Sequence, residues 1–146
     1  MPVIAKQGTV AQGETPIVVR WDYLALGDRD ALKGNPAIQV NVPPSGILGG
    51  VYVQAISAYA PHPNAAKLWM EHLYSDPGQL TWLGGYGHPI RYNDLVARNA
   101  IPADLAAKLP PADIYAKALF ATNDQLSAAN TVVSGNWDKT VNVNVS

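Results

Sequence analysis

Hydrophobic residues cluster or alternate in three stretches of the chain, and this pattern predicts three strands. Residues 16–25 form a nearly continuous run of β-branched, aromatic and aliphatic side chains, as expected for a strand buried on both faces. Residues 37–42 and 51–59 alternate apolar with polar or small positions, which is typical of a strand with one buried face. Pro43 and Pro44 cannot donate hydrogen bonds to a ladder, so the second strand is predicted to end before them.

The region that follows has the three- and four-residue spacing of amphipathic helices. Pro63 is well suited to the first position of a helix. Asp76 is predicted to cap the next helix, with Pro77 at its first position and Gln79 reaching back as in a capping box. The first of these helices is predicted to bury one face, made of Ala65, Leu68, Trp69, His72 and Leu73.

The ends of the chain are less regular. Residues 1–14 are predicted to form a loose or short helical start, and residues 124–133 a longer helix capped by Thr122 or Asn123. Gly135 is expected to end or kink that helix. The alternating tail, residues 141–146, fits either a strand or a frayed end.

Several motifs occur in an order that resembles a known family. They are the turn Pro44-Ser45-Gly46 with the strand after it, P-N-A-A-K-L-W-M-E-H-L at residues 63–73, S-D-P-G-Q at 75–79 and G-x-P-I-R at 87–91. Over residues 12–141 the sequence resembles the C-terminal part of bacterial extracellular solute-binding proteins. These proteins feed ABC importers, and the group includes iron(III), polyamine and thiamine binders.

The resemblance implies an α/β fold, namely the C-terminal portion of a two-lobed type II periplasmic-binding-protein fold with a helix-rich C-terminal half. It implies a single fragment in which residues 1–42 belong to the second lobe, residues 43–50 cross at the hinge and residues 51–146 return to the first lobe. The resemblance also implies a periplasmic location. No signal peptide is visible at residues 1–6, and we expect it to have been lost with a missing N-terminal half.

Composition narrows the classes of function. The chain has 146 residues, of which 48% are hydrophobic and 14% charged, enough for one domain with a sizeable core. A net charge of −1 provides no field that would attract nucleic acid or an anionic membrane. The chain has no cysteine, so disulfide and thiolate chemistry are excluded. We expect no cofactor.

The first candidate site is Trp21-Asp22-Tyr23, near the end of the first predicted strand. Ligands of α/β sheets bind at the carboxyl ends of strands, so Asp22 can pair with a cationic group while Trp21 stacks and Tyr23 donates a hydrogen bond. Alternatively, the two aromatic residues pack in the core and Asp22 caps a turn; alternation places Asp22 on the opposite face from them. Iron-binding members of the family carry adjacent tyrosines here, so the Asp22-Tyr23 pair makes iron(III) a weaker expectation.

The second and third candidate sites lie in glycine-rich loops. Backbone N–H groups around Ser45 and Gly46 can hold an anionic or carbonyl group, or the turn is only a hinge. Tyr86 can line a cleft, and Arg91 can hold a carboxylate or phosphate; alternatively, this loop only ends a helix and Arg91 is solvated.

No catalytic signature is present. The three histidines, at positions 62, 72 and 88, lack the spacing of a metal site, and the sequence contains no nucleophile-elbow motif. We therefore predict a non-enzymatic, metal-free protein. A weaker alternative is a hydrolase that uses Asp22, Arg91 and one histidine.

The leading hypothesis is a solute-binding component of an ABC importer that captures a small solute without catalysis in a cleft between lobes. Its expected partners are a polyamine, phosphonate, thiamine-like molecule or metal complex, together with the membrane permease. A second hypothesis is a self-associating structural fragment, because a lobe cut at its hinge exposes apolar surface and sheet edges. A homodimer would cover them.

Overall fold

The computed structural model describes residues 6–141, so the predictions for residues 1–5 and for the tail beyond Val141 lie outside the described part. Within it the chain is helical with extended connections. None of the described helices is long and apolar enough to cross a membrane. In chain order the helices are α1 (Gln7–Ala11), α2 (Asp22–Leu32), α3 (Pro63–Tyr74), α4 (Asp76–Gly84), α5 (Tyr92–Ala97), α6 (Ala103–Ala106), α7 (Ala112–Tyr115) and α8 (Asn123–Val141).

The predicted α/β fold, with its two-lobed type II architecture, is wrong, because residues 6–141 contain no sheet. Their only bridge outside helices pairs Leu48 with Leu119 in parallel, where the Leu119 N–H donates to Ile47 (2.9 Å) and the Gly49 N–H donates to Leu119 (2.8 Å). This bridge provides hydrogen bonds for a few backbone groups, but no strand pairs with residues 51–59. The assignment of residues 43–50 to a hinge stays a prediction.

The first predicted strand, residues 16–25, divides into an extended segment and the start of α2. Ile17 and Val19 are 90% and 99% exposed, so the apolar run finds no partner surface before the helix begins. The residues from Asp22 onward are also compatible with a helix. Asp22 lies in the first turn, where the helix dipole favours a carboxylate, and Leu26 is fully buried. The helix ends at Lys33, whose backbone is left-handed (φ 49°).

The second and third predicted strands, residues 37–42 and 51–59, are not strands in the structure: both segments are irregular, and residues 58–59 form a turn. A strand forms only where a neighbour accepts and donates its backbone hydrogen bonds, and the described residues supply none for these segments. The side chains of Val51, Tyr52 and Val53 are mostly exposed. The sequence between Lys33 and Lys67 contains no charged residue.

Helices α3 and α4 form the best-packed unit, and their boundaries agree with the predicted starts at Pro63 and near Pro77. The cap of α4, however, is Ser75 and not Asp76: the Ser75 hydroxyl accepts the Gly78 N–H at 3.3 Å. The predicted buried face of α3 is also wrong, since none of its residues is buried and Leu68 is 72% and Trp69 57% exposed. The C-terminal end of α3 contacts α4.

Gly78 permits the close approach of these two helices. A Cβ atom at this position would lie 2.1 Å from the His72 carbonyl oxygen and 2.9 Å from the Leu73 Cα atom. The neighbouring Gln79 is buried, donates its side-chain amide to the Leu73 carbonyl (2.7 Å) and accepts the Arg91 N–H (2.9 Å). Gln79 therefore joins α3 to the loop before α5 and does not form the predicted capping box.

Helix α8 is longer than predicted and continues through Gly135. Thr122 caps it, since its hydroxyl accepts the Gln125 N–H (3.3 Å) while the Gln125 side chain accepts the Thr122 N–H (2.9 Å). None of its described residues is buried, including Leu126, Val133 and Trp137. The helix therefore has an apolar row without a packing partner in the described chain.

Candidate functional site

The Trp21-Asp22-Tyr23 segment lies at the start of α2, where it was predicted to end a strand. Trp21 is the residue before the helix, and the tip of its ring approaches Gly50 so closely that a Cβ there would lie 2.7 Å from it. The Asp22 carboxylate accepts a hydrogen bond from the Tyr115 hydroxyl (2.8 Å). The Tyr23 hydroxyl lies 3.3 Å from that of Tyr52. Asp22 and Tyr23 thus contact different parts of the chain.

Asp22 belongs to a compact group of side chains from four segments, which we name the His88 cluster: Asp22, His88, Tyr92 and Tyr115. The His88 ring centroid lies 3.7 Å from that of Tyr115 and 4.4 Å from that of Tyr92. Asp22 begins α2, Tyr92 begins α5 and Tyr115 ends α7, so the cluster gathers three helix termini around the loop after α4. His88 remains exposed as a residue although its ring contacts both tyrosines.

The surroundings of the cluster shift the proton affinities of its members. Desolvation lowers the pKa of His88, and the Asp22 charge opposes this by raising it. Burial raises the pKa of the Tyr115 hydroxyl, and its hydrogen bond to Asp22 raises it further. Tyr115 therefore keeps its proton and holds the Asp22 carboxylate in one orientation. The arrangement offers a carboxylate oxygen beside aromatic faces, which suits an organic cation.

Tyr86 lies outside this cluster. It is only 7% exposed, its backbone is left-handed (φ 66°), and its hydroxyl donates to the Asp30 carboxylate. The Arg29 guanidinium lies 5.9 Å from the Tyr86 ring centroid and pairs with Asp30 (2.9 Å). Burial and the hydrogen bond to Asp30 raise the pKa of Tyr86. Tyr86 thus connects the loop after α4 to α2.

Arg91 belongs to an ion-pair network at the end of α3. Its guanidinium pairs with Asp94 (2.6 Å) and Asp76 (3.0 Å) and donates to the Tyr74 carbonyl (2.6 Å). Arg98 bonds both carboxylates as well, at 2.8 Å in each case. The Arg98 and Arg91 hydrogen bonds lower the pKa of Asp94 to about 2. These contacts position helices, and none of them brings Arg91 to Asp22, as the hydrolase alternative requires.

Ser45 and Gly46 form an exposed turn in which the Gly46 N–H donates to the Pro43 carbonyl at 3.3 Å. The backbone of Gly46 is not left-handed, and a Cβ there would meet nothing within 4 Å. The turn makes no described contact with the His88 cluster. Of the seven predicted site residues, the structure therefore places only Asp22 in the cluster, with Trp21 next to it in sequence.

Sequence reasoning missed Tyr92 and Tyr115. Tyr92 follows His88 by only four residues, but His88 lies in the loop before α5, so the helical spacing rule does not predict their contact. Tyr115 is 93 positions from Asp22, and no local pattern indicates their hydrogen bond. Within residues 6–141, no three histidine, cysteine, aspartate or glutamate side chains are grouped so as to hold a metal ion.

In comparisons with known proteins, the sequence matches no family model and no curated protein.

Proposed function

We propose that the chain is a non-catalytic solute-binding component of an ABC-type importer, acting in the periplasm, and that it captures a small organic cation at the His88 cluster. The observation that carries the proposal is the meeting of Asp22 with the rings of His88, Tyr92 and Tyr115. The ordered motifs of residues 44–91 supply the importer assignment, since they resemble solute-binding proteins. The permease of that importer is the proposed macromolecular partner.

The chemistry of the cluster favours one part of the expected solute range. An ammonium or other organic cation gains from a carboxylate and from the negative faces of aromatic rings, by about 0.5–2 kcal/mol for each cation–π contact. Its only basic side chain is His88, whose pKa is lowered by desolvation, so the cluster offers a phosphonate no permanent counter-charge. A polyamine or a thiamine-like cation is therefore the proposed solute.

Isothermal titration of the full chain with spermidine, thiamine and phenylphosphonate tests this proposal. We expect saturable binding of a cation and none of the phosphonate at the cluster. Asp22→Asn should weaken cation binding about tenfold or more, because hydrogen bonds and ion pairs to charged groups contribute about 1.5–3 kcal/mol. Asp104→Asn, a charge removal at an exposed position of α6, is the matched control and should leave binding unchanged.

Two results would refute the cation site. Either no cation gives saturable heat at millimolar concentration, or the Asp22 and Asp104 variants bind it equally.

A second candidate function is self-association, and the extent of exposed surface favours it. A compact monomer of 15.6 kDa exposes about 7,200 Å². This chain exposes 11288 Å². The excess, about 4,000 Å², is more than enough for one partner of an obligate dimer, since such interfaces bury about 2,000–5,000 Å² over both partners. We propose a second copy of this chain as the occupant, paired through residues 51–59, because most of their backbone groups make no described hydrogen bond and open backbone groups are a template for an identical segment.

Sedimentation velocity at micromolar concentration tests this second candidate. We expect a dimer that Val53→Lys dissociates, since the added charge lies within the pairing segment. Val132→Lys on α8, another exposed apolar position, should leave the dimer intact. A monomeric wild-type chain, or equal effects of the two variants, would exclude pairing through residues 51–59.

A further inference from the structure

A cavity of about 260 Å³ lies away from the His88 cluster, between α2, residues 40–42 and the segment that follows α6. Polar and apolar atoms contribute about equally to its wall. The apolar side chains in it include Leu26, Val40, Val42, Leu109, Pro110 and Ile114. A concave site that combines apolar side chains with a few polar groups is the usual form of a small-molecule pocket.

Three polar side chains line the same cavity: Arg29, Asn41 and Lys108. Among the residues that the structure describes, the Lys108 ammonium and the Asn41 amide have no hydrogen-bonding side-chain partner. Arg29 pairs with Asp30, which is not part of the lining. Two positive charges therefore face one negative charge, and the cavity has a local charge of about +1 at neutral pH.

The Asp30 carboxylate already has two donors. It accepts the Tyr86 hydroxyl and the Arg29 guanidinium, whose hydrogen bonds lower its pKa, with the Lys108 charge adding to the effect. Among the described residues, no carboxylate forms a salt bridge with Lys108.

The wall also retains hydrogen-bond donors that no described residue uses. The backbone N–H groups of Lys108 and Leu109 already donate to the Leu105 and Ala106 carbonyls, at 3.1 and 3.3 Å. Residues 40–42, in contrast, make no described backbone hydrogen bond. An acceptor-only ligand can take donors from Lys108, from Asn41 and from this backbone.

We infer that this cavity binds a small organic monoanion, with its carboxylate at Lys108 and Arg29 and its apolar body against Leu26, Val42 and Ile114. A cavity of about 150 Å³ accommodates benzene, so the present volume admits a ligand the size of benzoate. The negative charge of such an anion neutralises the local positive charge of the cavity. The site is separate from Asp22 and does not depend on the importer function proposed above.

The test is isothermal titration of the full chain with benzoate, with benzamide as a neutral ligand of the same shape. We expect saturable benzoate binding and at least tenfold weaker binding of benzamide. Lys108→Gln should weaken benzoate binding about tenfold, the loss expected for one charged hydrogen bond. Lys117→Gln, at an exposed lysine outside the cavity, is the matched control and should bind benzoate as the wild type does.

A second variant tests the apolar wall. Val40→Phe fills the cavity and should reduce benzoate binding without any change of charge. Circular dichroism confirms that each variant keeps its helices. The inference is overturned if benzoate gives no saturable binding, if benzamide binds equally well, or if the Lys108 and Lys117 variants are indistinguishable.

Discussion

The close contact of α3 with α4 at Gly78 makes a quantitative prediction about Gly78→Ala. The added Cβ would lie 2.1 Å from the His72 carbonyl oxygen, and both that atom and the Leu73 backbone belong to the rigid end of α3. The two helices must therefore move apart. Overpacking of this kind costs about 1–3 kcal/mol, whereas alanine gains up to about 1 kcal/mol over glycine inside a helix. The net expectation is a loss of about 1–2 kcal/mol.

Gly84→Ala, in the same helix, is the matched control. A Cβ at Gly84 would meet nothing within 4 Å, so only the gain in helix propensity remains, a few tenths to about 1 kcal/mol. Urea unfolding followed by circular dichroism at the helix band should therefore separate the two variants by about 2 kcal/mol. If both variants unfold within about 0.5 kcal/mol of each other, the close approach of the helices is not a feature of the protein in solution.

Three further predictions concern side chains that connect elements. Gln79→Met should destabilise the chain by about 2 kcal/mol in urea unfolding, because the Leu73 carbonyl and the Arg91 N–H lose their partner; an unchanged midpoint would contradict the buried bridge. The pKa of Asp94 is lowered to about 2, below its value in the unfolded chain, so its stabilising effect is present above pH 4 and is lost as pH falls towards 2. Circular dichroism between pH 5 and 1.5 should show this loss, and Arg98→Gln should reduce it. Asp22→Asn should lower the pKa of His88 further, since the Asp22 charge raises it, and an NMR titration in which the pKa rises would refute the contact.

The helices that sequence analysis located well are those with local signals. Pro63 at the start of α3, and Pro77 in the first turn of α4, fix the backbone where they stand, and these signals require no distant partner. The cap was misplaced by one residue because Ser75 and Asp76 are both good caps and adjacent.

The three strands failed for a different reason. Alternation specifies which side chains share a face, but a strand also needs a neighbour with free backbone groups, and the described chain supplies one only at Leu48 and Leu119. The resemblance implied neighbouring strands, because the family it refers to has a complete sheet. Residues 22–25 form a helix and not a strand, because Asp22 is favourable in a first helical turn and the helix buries Leu26.

The candidate site was predictable only in part. Asp22 was identified as lying at the carboxyl end of a strand, a position that the helical fold does not contain, so its place in the cluster does not follow from that reasoning. Its hydrogen bond to Tyr115, and the placing of Tyr115 against His88, depend on how α7 folds back to α2. Such contacts between distant segments have no signature in a single sequence.

The unpaired residues 51–59 have a consequence for how the protein behaves at high concentration. Short apolar segments of high β propensity nucleate fibrils when they lie open, and charged or proline gatekeepers normally interrupt them. The nearest charged residues here are Lys33 and Lys67, so no charge keeps neighbouring molecules apart along the whole segment. On heating we expect growth of thioflavin-positive aggregates that begins at this segment and slows when Val53 is replaced by lysine.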